Sequence, residues 1–279
     1  MKVINFGSLN IDLVYRVHDF ARPGETVSAF GFSRFAGGKG LNQSIALARA
    51  GAPVLHAGAV GKDGDFLLEM LRESGVDRSA VAVDPEVPTG HAVIQVADSG
   101  ENSIVLYPGA NHRITPEIIR RALSRAEAGD ILLLQNEISA TAEIMREAAD
   151  RGMRIFINPA PMTAAVTDYP LELADTLIVN ETEWDALKGC PLPRGINILK
   201  TLGAQGAVYN DAVRVPARRV DKVVDTTAAG DTFIGYFIAE LMQGRSIETA
   251  METASAASAW CILRAGAAVS IPRRSDLAK

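Results

Sequence analysis

The sequence predicts an α/β fold with a mainly parallel central sheet, and three observations support this prediction. Short apolar runs, typical of buried parallel strands, alternate along the chain with longer segments of helical periodicity. Hydrophobic residues make up 48% of the 279 residues, which is enough to build a large core. Two segments break the alternation with a period of two and with turn residues. We therefore expect three layers, α/β/α, and a small additional β-sheet in one domain that spans residues 1–279.

The predicted elements follow in order along the chain. Four apolar runs predict buried strands, and they lie at Lys2–Gly7, 131–134, 154–158 and 176–180. Segments of helical periodicity predict helices at Leu41–Ala50, Asp65–Glu73, Pro116–Ala126, Ala140–Arg151, Gly230–Met242 and Ile247–Leu263. Because strand and helix alternate for most of the length, we expect a doubly wound sheet.

The segments without helical periodicity lie at about 13–34 and 88–107. The second one reads T-G-H-A-V-I-Q-V, then the turn D-S-G-E-N, then S-I-V-L-Y, which predicts a β-hairpin. We expect both segments to form the small sheet that stands off the α/β core. A flap of this kind beside a ligand crevice would serve as a lid.

Composition and charge argue against several classes of protein. The net charge is −5, which is unfavourable for a general binder of nucleic acid or of anionic membranes. The two cysteines provide no disulfide framework, and the four histidines lack metal-ligand spacing. The N-terminus does not resemble a signal peptide, and no apolar run approaches the ~20 residues of a membrane helix. We expect a cytoplasmic protein whose partners include neither nucleic acid nor membrane.

The stretch D-T-T-A-A-G-D-T-F, from Asp225 to Phe233, predicts an anion site at the start of a helix. A helix start leaves backbone N–H groups without partners and carries the positive end of the helix dipole. Small residues at this point would let a ligand approach those N–H groups closely. The alternative is that Asp231 only complements the helix dipole, and this stretch alone does not decide between the two.

A second stretch, A-G-G-K-G-L-N-Q, predicts a ligand-binding loop. Three glycines surround Lys39 and permit backbone conformations that other residues avoid, so that a ligand could pack against the main chain. Asn42 and Gln43 then open an amphipathic helix. The alternative is a flexible turn before a helix.

Two predicted strand ends carry polar side chains. In G-S-L-N-I-D, Asn10 and Asp12 are expected at the carboxyl end of the first strand, which faces the crevice of an open α/β sheet. A polar turn with Asx caps is the alternative. In N-E-T-E, Asn180 would cap a short helix with Glu183 as its capping-box partner, or Glu183 would orient water around a magnesium ion.

Seven motifs follow one another over nearly the whole chain, namely G-S-L-N-I-D, P-G-E-T-V (Pro23–Val27), A-G-G-K-G-L-N-Q, P-G-A-N (Pro108–Asn111), N-E-T-E, T-L-G-A-Q-G (Thr201–Gly206) and D-T-T-A-A-G-D-T-F. Together and in this order, they resemble the motifs of the ribokinase-like carbohydrate kinases. The resemblance implies the three-layer fold of that family and an ATP-dependent kinase that phosphorylates a primary hydroxyl of a sugar. D-ribose, giving ribose 5-phosphate, is the first expected substrate, and fructose, deoxyribose or a nucleoside are alternatives.

The resemblance also implies roles for individual residues. Asp231 would be the base that accepts the proton of the sugar hydroxyl. The anion hole for the transferred phosphoryl group would consist of backbone N–H groups of Ala228, Ala229, Gly230 and Asp231. The sugar would be bound by Asn10, Asp12, Gly38, Lys39, Asn42, Glu137 and Asp231. ATP would be bound by Asn180, Thr201, Gly203 and Gly230, and Glu183 would hold Mg²⁺ through water.

Two further implications concern a cation and a partner. A monovalent cation, expected to be K⁺, would bind beside the anion hole at Asp225, Thr227, Cys261, Arg264, Gly266 and Ser270. The small sheet would form both the lid and the contact of a homodimer.

One region departs from the family pattern. The segment Leu187–Lys200 is short where relatives usually have an extra helix, and Lys200 interrupts an expected buried strand. Both features lie on the expected nucleotide side. They motivate an alternative from another class, a sugar- or nucleotide-binding protein without catalysis, although a pure binder would not need to retain Asp231.

Overall fold

Over residues 1–277, which the computed structural model describes, nine strands form a central sheet and four form a second, smaller sheet. Numbered in chain order, the strands are β1 (Val3–Phe6), β2 (Asn10–Arg16), β3 (Gly31–Gly37), β4 (Val54–Gly61), β5 (Asp77–Asp84), β6 (Gly90–Val96), β7 (Asn102–Tyr107), β8 (Ile131–Gln135), β9 (Arg154–Asn158), β10 (Thr176–Asn180), β11 (Asn197–Thr201), β12 (Ala207–Tyr209) and β13 (Val213–Val215).

The helices are α1 (Lys39–Arg49), α2 (Asp65–Glu73), α3 (Pro116–Leu123), α4 (Thr141–Ala149), α5 (Glu181–Ala186), α6 (Ala229–Met242) and α7 (Ile247–Cys261). Short 3₁₀ turns lie at Gly109–His112, Ala164–Asp168, Leu171–Leu173, Gly203–Gln205 and Arg274–Asp276. The helices predicted from the sequence are therefore present, with ends that differ by a few residues.

The central sheet has the strand order β13-β12-β11-β10-β9-β8-β1-β4-β5. Neighbours from β11 to β5 are parallel, and β12 and β13 add an antiparallel edge. The predicted mainly parallel, doubly wound sheet is thus confirmed. The chain runs outward in one direction from β1 through β4 and β5 and in the other from β8, so the carboxyl ends of β1 and β8 border a crevice.

Alternate residues of the buried strands face opposite helix layers. In β1, Val3 packs in the core cluster that contains residues of α1, α2, α6 and α7, whereas Ile4 packs in the cluster that contains residues of α3 and α4. In β8, Ile131 and Leu133 belong to the first cluster and Leu132 to the second. A helix layer therefore covers each face of the sheet, which confirms the predicted α/β/α layers.

The small sheet has the order β3-β2-β6-β7, and β6 and β7 form the predicted hairpin. Its strands extend beyond the predicted segments, because β2 begins at Asn10 and β3 ends at Gly37. Asn10 and Asp12 therefore lie on the small sheet, and their predicted place at the end of the first strand is wrong. Strand β1 already ends at Phe6, and the chain then passes close to α1 at Gly7, where an added Cβ would stand 2.4 Å from the Cα of Gly40.

The interruption predicted at Lys200 is also wrong, because Lys200 lies within β11. Its aliphatic stem is mostly buried, while its ammonium group pairs with Asp211 and lies 4.9 Å from the centre of the Trp184 ring. The long Lys200 side chain thus extends from a partly buried strand, so that its charged end lies at solvent and against the face of an aromatic ring. In the short segment before β11, Cys190, Leu192 and Ile196 pack against the core in place of a helix.

Candidate active site

Three chain segments meet at the crevice between β1 and β8. The loop after β1 contributes Ser8, the loop after β8 contributes Glu137, and α1 begins with Lys39. Glu137 Oε2 accepts hydrogen bonds from the Ser8 hydroxyl and, at 3.0 Å, from the backbone N–H of Lys39. This carboxylate therefore ties the start of α1 to the central sheet.

Two glycines allow α1 to begin in backbone contact with the loop after β1. Gly38 has a φ of +96°, which side chains with a Cβ rarely adopt. A Cβ on Gly40 would stand 2.3 Å from the backbone nitrogen of Ser8. The backbone N–H of Leu41 donates to the carbonyl of Ser8 at 2.9 Å. The glycines of this stretch are therefore required by a close approach of two backbones.

Asp231 lies in the first turn of α6, beside polar residues of α1. The chain enters this helix through Ala228, whose φ of +62° makes a sharp turn. Asp231 is buried, and its Oδ2 accepts a hydrogen bond from Asn42 Nδ2 at 3.0 Å while its Oδ1 accepts one from Gln43 Nε2 at 2.9 Å. A carboxylate that only complemented the helix dipole would not require two amide donors from another helix.

The ammonium group of Lys39 lies near several carboxylates. Burial lowers the pKa of Lys39, but the negative charges of Asp231, Glu137 and Glu183 outweigh burial and raise it. Lys39 lines a cavity of about 250 Å³ together with Asp231 and Glu183. The site thus presents a permanent cation to a bound anion or hydroxyl.

Asn10 and Asp12 reach the site from β2. Asn10 is buried, and its Oδ1 accepts a hydrogen bond from Asn111 Nδ2 at 2.7 Å. The Asp12 carboxylate lies against Gly37, where an added Cβ would stand 2.3 Å from Asp12 Oδ2. Burial raises the pKa of Asp12 to about 6, and the charge of Glu137 adds to the rise.

The structure brings the predicted sugar-binding residues into one contiguous polar group. Contacts run from Asp12 on β2, through the Gly37–Gly38 backbone and Lys39, to Glu137. Burial raises the pKa of Glu137 as well, against the opposing charge of Lys39. Asn42 joins this group to Asp231, and its Oδ1 has no hydrogen-bond partner within the described chain. Carboxylate and amide oxygens of this kind are suitable acceptors for hydroxyl groups.

The cavity beside Asp231 opens into a larger groove of about 770 Å³. Four residues line both spaces, namely Asn180, Thr201, Thr226 and Gly230. The groove also contacts Gly203 and apolar side chains such as Val220, Phe233 and Ile262. A polar end beside Asp231 and a wide apolar end suit a ligand with phosphates at one end and a flat ring at the other.

Asn180 and Glu183 form the capping box that the sequence allowed. Asn180 Oδ1 accepts from the Glu183 backbone N–H at 2.8 Å, and Glu183 Oε2 accepts from the Asn180 backbone N–H at 2.9 Å. Glu183 also lines the cavity of Asp231. The two interpretations of N-E-T-E are therefore compatible, since one carboxylate can cap α5 and face the cavity.

The start of α6 places backbone N–H groups at the cavity. Gly230 lines the cavity, and a Cβ added to it would meet nothing within 4 Å, so a ligand can reach the main chain there. The N–H groups of Gly230 and Asp231 belong to the first helical turn, which lacks intrahelical acceptors. Among the predicted anion-hole groups, the Ala229 N–H already donates to the carbonyl of Thr226 at 3.2 Å.

The residues predicted for a monovalent cation also lie together. Asp225 Oδ1 accepts from the Thr227 hydroxyl at 2.6 Å, and its Oδ2 accepts from the Gly266 N–H at 2.9 Å. Cys261 Sγ lies 3.0 Å from Ser270 Oγ and 3.7 Å from the carbonyl of Thr227, and the carbonyl of Cys261 accepts from the N–H of Arg264. A carboxylate, carbonyls and a hydroxyl are hard oxygen donors, which suit an alkali-metal cation.

No cluster of three or more His, Cys, Asp or Glu side chains that could hold a metal ion occurs within residues 1–277. Glu183 offers a single carboxylate to the cavity. Since Asp231 is engaged by Asn42 and Gln43, this arrangement fits Mg²⁺ held mainly by the phosphates of its ligand and by water, with Glu183 as the carboxylate that faces its water shell.

Several site residues carry no assignment from the sequence motifs. Gln43 contacts Asp231 directly, and Gln135 and Asn158 contact Gln43. A signal was present, because single amides end the otherwise apolar strand runs I-L-L-L-Q and I-F-I-N. A buried amide needs partners, so such residues indicate a polar site under the helices.

A family model described as pfkB family carbohydrate kinase matches residues 1–274 of the chain. The chain belongs to this family. It is therefore an ATP-dependent sugar kinase, and the alternative of a non-catalytic binding protein is set aside. The kinase is 34% identical to the ribokinase of Haemophilus influenzae over 294 residues, a match that covers 97% of this chain and 95% of that protein.

Solved structures agree with this family assignment. Ribokinase from Cryptococcus neoformans var. grubii in complex with ADP is 34% identical to the kinase, with a TM-score of 0.87 and coverage of 99% of this chain and 98% of that one. Arabidopsis thaliana ribokinase complexed with ribose and ATP is 29% identical, also with a TM-score of 0.87, and covers 99% of this chain and 97% of that one. Among the described helices of the kinase, none is both long and apolar enough for a transmembrane segment.

Proposed function

We propose that this kinase transfers the γ-phosphoryl group of ATP to the primary hydroxyl of D-ribose, giving ribose 5-phosphate. One observation carries the proposal, namely the position of Asp231 between two different environments. On one side Asp231 accepts a hydrogen bond from Asn42, which lies in the first turn of α1 beside Lys39, and the backbone of Lys39 is bound by Glu137. On the other side Asp231 lines the cavity that opens into the nucleotide-sized groove. A base in this place can serve a sugar and face a phosphate at the same time.

The proposed mechanism needs positioning and charge stabilisation more than covalent chemistry. Asp231 accepts the proton of the attacking hydroxyl. Backbone N–H groups at the start of α6 stabilise the transferring phosphoryl group, and the Lys39 ammonium adds positive charge at the same cavity. Mg²⁺ supplies neutralisation of the ATP phosphates when bound, and Glu183 is the residue that would hold its water shell.

The relatives support ATP and ribose as substrates. Ribokinase is the name of the curated relative cited above, and the Arabidopsis structure contains ribose and ATP. We further propose that K⁺ binds between the loop of Asp225 and Thr227 and the segment after α7 that carries Gly266 and Ser270. The first of these leads directly into α6, so a cation there can stabilise the N–H groups at the start of that helix. The residues from Asp225 to Asp231 would then act as one anion-binding unit.

We also propose that the small sheet is a lid and the contact of a homodimer. Strand pairing places Phe35 and Leu106 on the face that carries Asp12, since Asp12 pairs with Phe35 and Ala92, and Ala92 pairs with Leu106. Ile104 shares this face two residues along, and all three apolar side chains are exposed. Strand β7 is an edge strand, which offers unpaired backbone groups as well. A second copy of the same sheet would cover these groups.

The function is tested by ADP release from Mg-ATP in the presence of K⁺, across D-ribose, deoxyribose, fructose and common nucleosides. We expect turnover with D-ribose to exceed the others in kcat/KM by at least about tenfold, a difference of about 1.4 kcal/mol in transition-state binding. NMR of the product should place the phosphate on the primary carbon. Preferred turnover of another substrate would contradict the proposed specificity, and absence of turnover on every substrate by folded protein would contradict the mechanism.

A further inference from the structure

A row of amide side chains lies beneath α1 and α6 on neighbouring strands. The row consists of Asn5 on β1, Gln135 on β8 and Asn158 on β9. Two residues before each of them stands an apolar side chain that packs in the core cluster of α1 and α6. The period of two in a strand therefore points all three toward the same helix layer. Gln135 and Asn158 are direct partners in the strand register. These amides are buried, although apolar side chains would fill the same layer at lower cost in desolvation.

Gln43 connects this row to Asp231. Its side chain is fully buried, and its Nε2 donates to Asp231 Oδ1 at 2.9 Å and to Asn158 Oδ1 at 3.3 Å. Its Oε1 accepts a hydrogen bond from Gln135 Nε2 at 2.6 Å. Because an ionised carboxylate only accepts hydrogen bonds, the nitrogen of the Gln43 amide must face Asp231. The donor from Gln135 independently requires the oxygen of Gln43 on the opposite side, so the amide has one satisfied orientation.

The two oxygens of Asp231 have different surroundings. Oδ1 is bound by Gln43, which belongs to the buried amide row. Oδ2 is bound by Asn42, the residue that borders the predicted sugar site. Gln43 thus holds Asp231 from the side of the buried amide row, and Oδ2 is the oxygen on the side of the predicted sugar site.

We propose that Gln43 is a positioning residue for phosphoryl transfer, which fixes Oδ1 of Asp231 so that Oδ2 takes the proton of the sugar hydroxyl. The inference rests on the proposed role of Asp231 as the base. In the step, the hydroxyl oxygen bonds to the γ-phosphorus, the bond from that phosphorus to the β–γ bridging oxygen breaks, and ADP leaves with the electron pair. The hydroxyl proton moves to Oδ2. Gln135 acts one step further away by orienting the Gln43 amide.

The test compares Gln43→Met with Gln43→Glu. Gln43→Met keeps the length of the side chain but removes its three hydrogen bonds, to Asp231, Asn158 and Gln135. We expect kcat to fall about 10- to 100-fold with the KM for the sugar within about threefold, because misplacement of a reacting group affects the rate more than binding. Gln43→Glu places a second carboxylate against Asp231. Its kcat should be lower at pH 8 than that of Gln43→Met and should recover toward pH 5.5, where the new carboxyl group is protonated and can donate.

Ser44→Ala is the matched control. Ser44 is the next residue of α1 and is equally buried, but its hydroxyl contacts Asn5 and His56. Burial lowers the pKa of His56 to about 4, so this ring stays neutral in the assay range. Ser44→Ala should lower the melting temperature while kcat stays within about twofold of the parent, because its two buried hydrogen bonds contribute to stability and neither involves Asp231 or Gln43.

The outcomes separate this inference from the proposed function. If Asp231→Asn loses turnover but Gln43→Met retains the parent kcat, the positioning role is overturned and the base is not. An equal loss of kcat in Ser44→Ala and Gln43→Met would also overturn it, because general loosening of α1 would then suffice. If Gln43→Met fails to fold, the pH response decides: a kcat of Gln43→Glu that does not recover on acidification overturns the proposal. Retained turnover in Asp231→Asn would overturn both.

Discussion

Gly235 of α6 packs directly against Ala46 of α1, where a Cβ added to Gly235 would stand 2.4 Å from the Cβ of Ala46. The two helices can approach this closely only because Gly235 has no side chain. Helix α1 carries Asn42 and Gln43, and α6 carries Asp231. The distance between the helices therefore sets the hydrogen bonds that hold the proposed base.

Gly235→Ala should consequently reduce both stability and activity. Ordinary contact between carbon atoms would require the helices to separate by about 1 Å, and overpacking of this kind costs about 1–3 kcal/mol. We expect the free energy of unfolding in urea to fall by that amount and kcat to fall at least about tenfold. Gly31→Ala is the control, since a Cβ there makes an ordinary 3.4 Å contact with the Arg16 side chain. An active, fully stable Gly235→Ala variant would contradict the account.

The affinity for the sugar should depend on pH through Asp12. Burial and the charge of Glu137 raise the pKa of Asp12 to about 6, so this carboxylate becomes protonated as the pH falls through that value. It then loses the negative charge with which it accepts hydrogen bonds from the hydroxyl groups of the sugar. We expect the Kd for D-ribose, measured by calorimetry, to rise about tenfold between pH 7 and pH 5. Asp12→Asn should bind more weakly at pH 7 and respond less to pH. An unchanged pH response in Asp12→Asn would exclude Asp12 as the titrating group.

The proposed homodimer should depend on the face of the small sheet that carries Asp12. Ile104→Lys places a charge on this face, and burying an unpaired charge at an interface is costly. Sedimentation velocity should therefore give a monomer for Ile104→Lys. Val105→Lys changes the neighbouring exposed residue on the opposite face of β7 and should remain dimeric. If each of the two variants remained a dimer, or if the parent protein were a monomer, the proposed contact would be contradicted.

Turnover should respond to the monovalent cation. If K⁺ stabilises the loop from Asp225 to Thr227, replacing KCl by tetramethylammonium chloride at constant ionic strength should lower kcat at least about tenfold. Asp225→Asn weakens the ligand set and should reduce the response to K⁺. Thr249→Ala, at the exposed start of α7, should leave that response unchanged. Equal kcat in both salts would remove the cation from the mechanism.

The sequence predicts the layers of the fold because the buried strands and amphipathic helices carry strong periodic patterns. It does not predict β4, since V-L-H-A-G-A-V-G contains residues with low strand propensity. This strand forms because β1 and β5 enclose it on either side in the sheet and because all its residues are buried. Tertiary position thus decides its structure.

The site was predictable to the extent that its residues stand in short motifs. The grouping of Asn42 with Asp231 joins residues that are distant in sequence, and only the packing of α1 on α6 brings them together. Gln43 and Gln135 were missed as functional residues because a single amide has no characteristic spacing. Their role depends on the orientation of one amide between two partners, which a pattern along the chain does not contain.

The central claim is that Asp231 is the base for phosphoryl transfer to the sugar. Single-turnover transfer from ATP to D-ribose, followed by rapid quench, measures this step directly for the parent protein and for Asp231→Asn. We predict that the substitution lowers the transfer rate about 10²- to 10⁴-fold, while the Kd values for ATP and ribose change little. A transfer rate within a few-fold of the parent would contradict the account.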